Sequence, residues 1–297
     1  MRESERISPK YKGLDTWGDE DVLSALWDSQ MAAVAAVRPA LPSIAAAAQA
    51  IVTRLKAGDA RLVYVGAGSS GLLATQDGME LPPTFGWPRE RLTFLMAGGS
   101  AARLSLEGAS EDDADAARQE VAHYHLGEAD VVIGVAASGG TPYTVAALEA
   151  ARERGALTVA IANTPGCRLL DAAEFPICIE TGLEVIAGST RLGAGTAQKA
   201  TLGMLSSLVM TRMGHVIDGM MVSVEADNIK LRERAIRIVS VIAECDEAAA
   251  KDALGRTQGK VKPAILVAMG MAPEDADRRL NDNGGDVRSV MNLIQAQ

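Results

Sequence analysis

Apolar positions along the chain fall into two textures, and the change between them organises everything that follows. From Glu20 to about Lys56, Val22, Leu23, Leu26, Met31, Val34, Val37, Ile44 and Ile51 recur at helical spacing, with the run broken at Pro39 and Pro42. Short, near-continuous apolar runs then take over. Arg61–Gly66 leads into Gly66-Ala-Gly-Ser-Ser-Gly71, Leu92–Met96 into Ala97-Gly-Gly-Ser100, and Asp130–Ala137 into Ser138-Gly-Gly-Thr-Pro142. Thr158–Ala162 leads into Asn163-Thr-Pro-Gly166, and Phe175–Ile179 is a fifth run. Helical stretches separate most of them, notably 112–126 and 142–154. This rhythm predicts an α/β fold, a doubly wound parallel sheet of about five strands flanked by helices. Runs that are apolar throughout, rather than alternating, fit strands buried on both faces.

Beyond about residue 194 strand signals stop. Residues 194–213 read as a Met- and Leu-rich helix and 226–243 as a basic amphipathic one. The tail repeats itself at an offset of 26 residues: Ala250, Leu254, Gly259, Val261, Lys262 and Ile265 recur as Ala276, Leu280, Gly285, Val287, Arg288 and Met291. Each copy predicts a helix, a Gly-containing turn and a second helix, whose role is read as packing. The expected organisation is a helical arm over 1–58, a sheet domain over 59–225 and a helical subdomain over 226–297.

Composition narrows the function classes. The 297 residues are 48% hydrophobic and 23% charged, ordinary for a soluble globular chain, with aromatics scarce at 3%. A net charge of −9 argues against nucleic-acid binding and against attraction to an anionic membrane. A small anion remains admissible, because helix N-termini and backbone amides can hold it locally. The N-terminal stretch lacks the apolar core of a secretory signal, and no uninterrupted apolar run reaches membrane-spanning length, so the cytoplasm is expected. Cys167, Cys178 and Cys245 are odd in number and widely spaced, which predicts no disulfide framework. His123, His125 and His215 have no further ligand nearby in sequence, so no metal site is expected.

Two loops suit phosphate. The segment 66–71 and the segment 138–142 each end a predicted strand and open a helix, with Ser69, Ser70, Ser138 and Thr141 as hydroxyl donors and Gly68 and Gly139 allowing close approach. No acidic residue ends a second strand about 20 residues after the first loop, where residues 79–91 read as a Pro-rich loop instead, so it is a poor dinucleotide fingerprint. An ATP-type GxxxxGK[ST] loop is absent as well.

Longer motifs are more telling. Tyr64–Gly71, Glu80–Gly86 (ELPPTFG), Gly108–Asp112 (GASED), Gly134–Tyr143 (GVAASGGTPY), Gly188–Lys199 (GSTRLGAGTAQK) and Asn228–Val239 cover the chain almost end to end. In these blocks the chain resembles the N-acetylmuramic acid 6-phosphate etherases, lactyl-ether lyases of bacterial cell-wall recycling. The resemblance implies the sugar-isomerase (SIS) fold, a homodimer with sites near the subunit interface, a phosphorylated amino sugar as substrate and no cofactor. Matched motif to motif, the family's catalytic glutamates fall on Glu80 and Glu111. Glu111 would take the proton from C2 of the opened sugar, while Glu80 would protonate the departing ether oxygen and later activate water. The phosphate would rest on Gly68, Ser69, Ser70, Ser138, Gly139, Thr141, Ser189 and Thr190, with Arg191 and Lys199 in support.

The chain departs from that pattern at Leu72, Gly140 and Gly193, where the family usually carries a basic residue, and at Gly203, where it tends to carry Asn. Two other readings therefore stay open. One is a non-catalytic sugar-phosphate sensor resembling glucokinase regulatory protein. The other is an SIS-type sugar-phosphate isomerase.

Overall fold

The computed structural model describes residues 5–99, 108–224, 226 and 228–295. Helices α1 (Asp19–Ala35) and α2 (Leu41–Lys56) lead into β1 (Leu62–Gly66), α3 (Gly68–Met79), α4 (Leu81–Phe85) and β2 (Leu92–Met96). Then follow α5 (Ala114–His123), β3 (Val131–Ala136), α6 (Pro142–Glu153), β4 (Leu157–Ala162), α7 (Arg168–Ala172) and β5 (Phe175–Cys178). The remainder is α8 (Gly193–Arg212), the short strands β6 (Val216–Ile217) and β7 (Met220–Met221), and α9 (Ile229–Ile242), α10 (Glu247–Arg256), α11 (Val261–Ala268), α12 (Pro273–Asp282) and α13 (Val287–Gln295). The chain forms two compact units, Met1–Met79 with Glu90–Ser206 and Glu80–Arg89 with Ser207–Gln297.

The first unit carries the sheet. Its five strands run parallel in the order β2-β1-β3-β4-β5. Every residue of β1, β3 and β4 is buried, while the edge strands β2 and β5 are partly open. Pro176 sits in β5, where an edge strand tolerates a missing N–H. Helix α3 packs on β1, β2 and β3, whereas α6 packs on β1, β3 and β4. The chain moves outward from β1 to β2 in one direction and from β3 through β4 to β5 in the other. Adjacent strands β1 and β3 therefore send their following loops apart, which opens a crevice at their carboxyl ends.

The stretch Asp19–Lys56 is long and apolar enough to cross a membrane by length and composition. A 3-10 turn at Arg38–Ala40 interrupts it, and α2 spends its apolar face on the sheet, burying Ile44, Ala47, Ala48, Ile51 and Leu55 beside β4 and β5. Its other half, α1, leaves Leu23, Trp27, Met31 and Val34 exposed.

The second unit is helical and bears out the repeat. Gly259 N–H reaches Leu254 O at 2.8 Å, and its counterpart Gly285 N–H reaches Leu280 O at 2.7 Å. Both glycines have positive φ, closing the two helices by the same left-handed turn. Ala250, Leu254, Val261 and Ile265 are buried, as are Ala276, Leu280, Val287 and Met291, so the repeated positions belong to one apolar core. Two elements depart from the sequence expectation. Strand structure does not stop at 194, because β6 and β7 form an antiparallel hairpin. Its turn, Asp218-Gly219, has positive φ at both residues, and Asp-Gly is a known hairpin signal. The Pro-rich segment 79–91, expected as a loop, is helical over Leu81–Phe85, with proline in the first turn where a missing N–H costs no hydrogen bond.

Candidate active site

The first phosphate segment is less a loop than the start of a helix. Helix α3 begins at Gly68, so Gly68, Ser69 and Ser70 form its first turn and present N–H groups without intrahelical partners. Two glycines allow so abrupt a join. A Cβ on Gly66 would lie 2.6 Å from Gly71 Cα, and one on Gly71 would lie 2.7 Å from Gly66 C. These two serve close packing of strand on helix. Gly68 differs: its φ is +54°, and a Cβ there would lie 2.7 Å from Glu111 Oε1. Bare backbone at Gly68 is what lets the Glu111 carboxylate approach the helix start.

The second segment follows β3. Thr141 is the N-cap of α6, but its side chain makes no capping bond, which leaves the hydroxyl for another partner. Ser138 Oγ accepts from Gly140 N–H at 3.3 Å and retains its own proton to donate. The two segments meet at the crevice between β1 and β3. There a cavity of about 230 Å³ is lined by Ser69, Ser70, Ser138, Thr141 and Thr190, with Glu111 and Glu5 among its other walls. Two helix starts and five hydroxyls thus converge, and no Lys or Arg is among the described lining residues.

Glu111 lies in a 3-10 turn, Gly108–Asp112, just ahead of α5 rather than within its first turn. The acidic run therefore divides its labour. Asp113 caps α5 by accepting from Ala116 N–H at 2.9 Å, and Glu111 is left for the cavity. Burial, and then the neighbouring Asp112, raise the Glu111 pKa above the ordinary glutamate value.

Other predicted site residues lie elsewhere. Gly139 supports the second segment from behind, since a Cβ there would collide with Cys167 Sγ and its carbonyl accepts from Leu169 N–H at 2.9 Å. Ser189 and Arg191 flank Thr190 without lining the cavity. Lys199, expected to support the phosphate, instead lies 3.8 Å from buried Asp77. Asp77 also accepts from Tyr64 and Ser206 hydroxyls at 3.3 and 3.2 Å. Burial still raises its pKa, and Lys199 offsets part of that rise. Glu80 belongs to the second unit, at the N-cap position of α4, exposed and making no side-chain cap bond. Glu5 is the residue that sequence reasoning misses, because it stands in a polar stretch that carries no motif.

Comparison with known proteins agrees with the fold. The glucokinase regulatory protein N-terminal SIS domain family matches residues 43–152, and the SIS domain family matches 112–208. An N-acetylmuramic acid 6-phosphate etherase of Deinococcus radiodurans is 46% identical over 98% of this chain and 95% of its own length. The chain belongs to the N-acetylmuramic acid 6-phosphate etherase family. A second etherase, from Rubrobacter xylanophilus, is 42% identical over 97% of this chain and 95% of its own. In fold, a solved Bacteroides fragilis structure assigned as a phosphosugar isomerase involved in capsule formation has a TM-score of 0.53 at 20% identity, covering 68% of this chain and 95% of that one.

Within this etherase family the chain's departures acquire a place. Leu72, Gly140 and Gly193 are not among the cavity's lining residues. Gly193 serves instead at the start of α8, where its N–H and that of Ala194 donate to buried Glu184, both at 2.9 Å, and so cap the helix.

Proposed function

We propose that this protein is a cytoplasmic lyase that cleaves the D-lactyl ether of N-acetylmuramic acid 6-phosphate, giving N-acetylglucosamine 6-phosphate and D-lactate. The observation that carries the reading is the cavity itself, where a carboxylate of raised pKa shares walls with two hydroxyl-bearing helix starts. The helix starts suit a phosphate: Ser69, Ser70, Ser138 and Thr141 donate, and the helix dipoles supply positive potential without a cation. In the ring-opened sugar, C2–H lies α to the aldehyde, and Glu111 takes that proton. The electron pair moves into the C2–C3 bond as the C3–O bond breaks, and lactate leaves with a proton from an acid. The family resemblance assigns that acid to Glu80. Water, deprotonated by the same carboxylate, then adds at C3 of the unsaturated aldehyde while Glu111 returns the proton to C2. A base whose pKa is lifted towards the working pH is a stronger acceptor than an ordinary glutamate.

The enzyme acts as a homodimer in this reading. Leu23, Trp27, Met31 and Val34 lie at helical spacing on α1 and are exposed, as are Leu72 and Met79 on α3 and Met204 on α8. Exposed apolar side chains in such number suit contact with a second copy. Leu205 and Val209, neighbours of Met204 on α8, are buried within the chain and take no part in that face.

One observation favours a second reading: the regulatory-protein SIS family matches 43–152. A protein of that type would sense a sugar phosphate without chemistry. The test is incubation of the purified protein with N-acetylmuramic acid 6-phosphate in deuterated solvent. Release of D-lactate with solvent deuterium at C2 is expected. Tight binding of the sugar phosphate with neither event would make the protein a sensor.

A further inference from the structure

Glu5 is separated from the rest of the cavity by more than sixty residues of chain, yet it lines the same space as Ser69, Ser138, Thr190 and Glu111. Its carboxylate sits against Gly188: a Cβ on that glycine would lie 3.0 Å from Glu5 Oε2. Gly188 has φ +78°, so the backbone there both turns and leaves room for the carboxylate. The arrangement repeats the one at Gly68, where bare backbone admits Glu111. Among the described residues Glu5 makes no hydrogen bond or ion pair.

A second carboxylate in a cavity with no basic residue among its described walls needs a reason, because it repels a phosphate. The chemistry of the ligand supplies one. The product N-acetylglucosamine 6-phosphate carries its anion at one end only, and in the substrate the lactyl carboxylate hangs from C3. The sugar body itself presents hydroxyl and amide N–H donors, for which the five lining hydroxyls are poorer acceptors than a carboxylate and backbone N–H groups are no acceptors at all.

We propose that Glu5 is a substrate-binding residue whose carboxylate accepts hydrogen bonds from the hydroxyl or acetamido N–H groups of the sugar. It selects for the amino-sugar body and takes no part in proton transfer. The inference rests on the sugar-phosphate reading above and adds to it a specificity determinant contributed by the N-terminal segment.

The test is calorimetric titration of the full-length protein with two probes, N-acetylglucosamine 6-phosphate and inorganic phosphate. Glu5→Ala is expected to weaken sugar-phosphate binding by about 10-fold or more, the loss typical of a hydrogen bond to a charged group, while phosphate binds as well as before or better. Glu5→Gln keeps the length and one acceptor oxygen, so its loss should be smaller and of the same sign. Glu5 is exposed, and an unchanged thermal midpoint for both variants will show that folding is intact. Equal tightening of both probes would make Glu5 a built-in competitor of the phosphate and overturn the proposal; unchanged binding of both would overturn it as well. The result is independent of turnover. If the wild-type protein releases no lactate while Glu5→Ala weakens sugar-phosphate binding, the lyase reading sinks and this one stands.

Discussion

Helix starts in this protein come in two kinds. At α5, α9 and α10 the residue before the helix turns its own side chain back onto the backbone: Asp113 accepts from Ala116 N–H, Asn228 from Leu231 N–H and Asp246 from Ala249 N–H, at 2.8 to 3.0 Å. Helix α8 is capped from a distance by Glu184, which takes two N–H groups. At α3 and α6 the residue before the helix supplies no such bond. Ala67 has no acceptor to offer, and Thr141, which could cap, does not. Helices α1, α2, α4, α7, α11 and α12 also start without a side-chain cap, but among these open starts it is α3 and α6 whose residues line the cavity. A helix N-terminus costs stability when its donors go unpaired, so leaving two of them open beside five hydroxyls makes sense where a ligand completes them.

That contrast can be broken most decisively at Glu111. Glu111→Gln should lower lactate release by at least ~100-fold, the usual loss on removing a general base, with sugar-phosphate binding nearly intact. It should also raise the thermal midpoint at neutral pH. The folded state holds the Glu111 proton more tightly than the unfolded chain does, because burial raises its pKa. The penalty is absent below the ordinary glutamate value, grows as pH rises through the raised one and is complete above it. The gain should therefore vanish in melts recorded at acid pH. A variant that loses activity and stability together would show Glu111 to be part of the framework.

Glu184→Ala supplies the opposite case. Two charge-assisted bonds to the start of α8 are lost, and denaturant unfolding should report about 2 kcal/mol of destabilisation. Sugar-phosphate affinity of the protein that remains folded should change little.

Ser138→Ala sharpens the comparison from the ligand side. Phosphorylated sugar should bind more weakly by about 1–2 kcal/mol, with the unphosphorylated sugar unaffected and the melting temperature unmoved. Equal losses for both sugars would mean that the segment is there for geometry alone. The smallest effect is expected at a self-capped start in the second unit: Asp246→Ala should cost about 1 kcal/mol in unfolding free energy and leave turnover of the folded enzyme as it was.

Much of the fold is legible along the chain because its causes are local. The five expected strand runs coincide with β1 to β5 to within a residue or two, since each is a burst of apolar residues cut off by Gly or Pro. The tail repeat is legible for the same reason, with Gly259 and Gly285 marking identical turns. The β6–β7 hairpin is harder to read because two-residue strands are too short for an alternating pattern, although Asp218-Gly219 signals its turn.

Which residues could hold a phosphate follows from local pattern. Ser69, Ser70, Ser138 and Thr141 stand where parallel strands hand over to helices, and that position can be read along the chain. Which of the remaining polar groups join them depends on packing. Lys199 is drawn to Asp77, a buried carboxylate on a different helix, and so is missing from the residues that line the cavity. Gly193 gives its N–H to Glu184, and Glu5 arrives at the cavity from the far end of the chain. Each outcome depends on which elements become neighbours when the sheet closes its core, and a burial that brings distant segments together leaves no periodic mark in either of them.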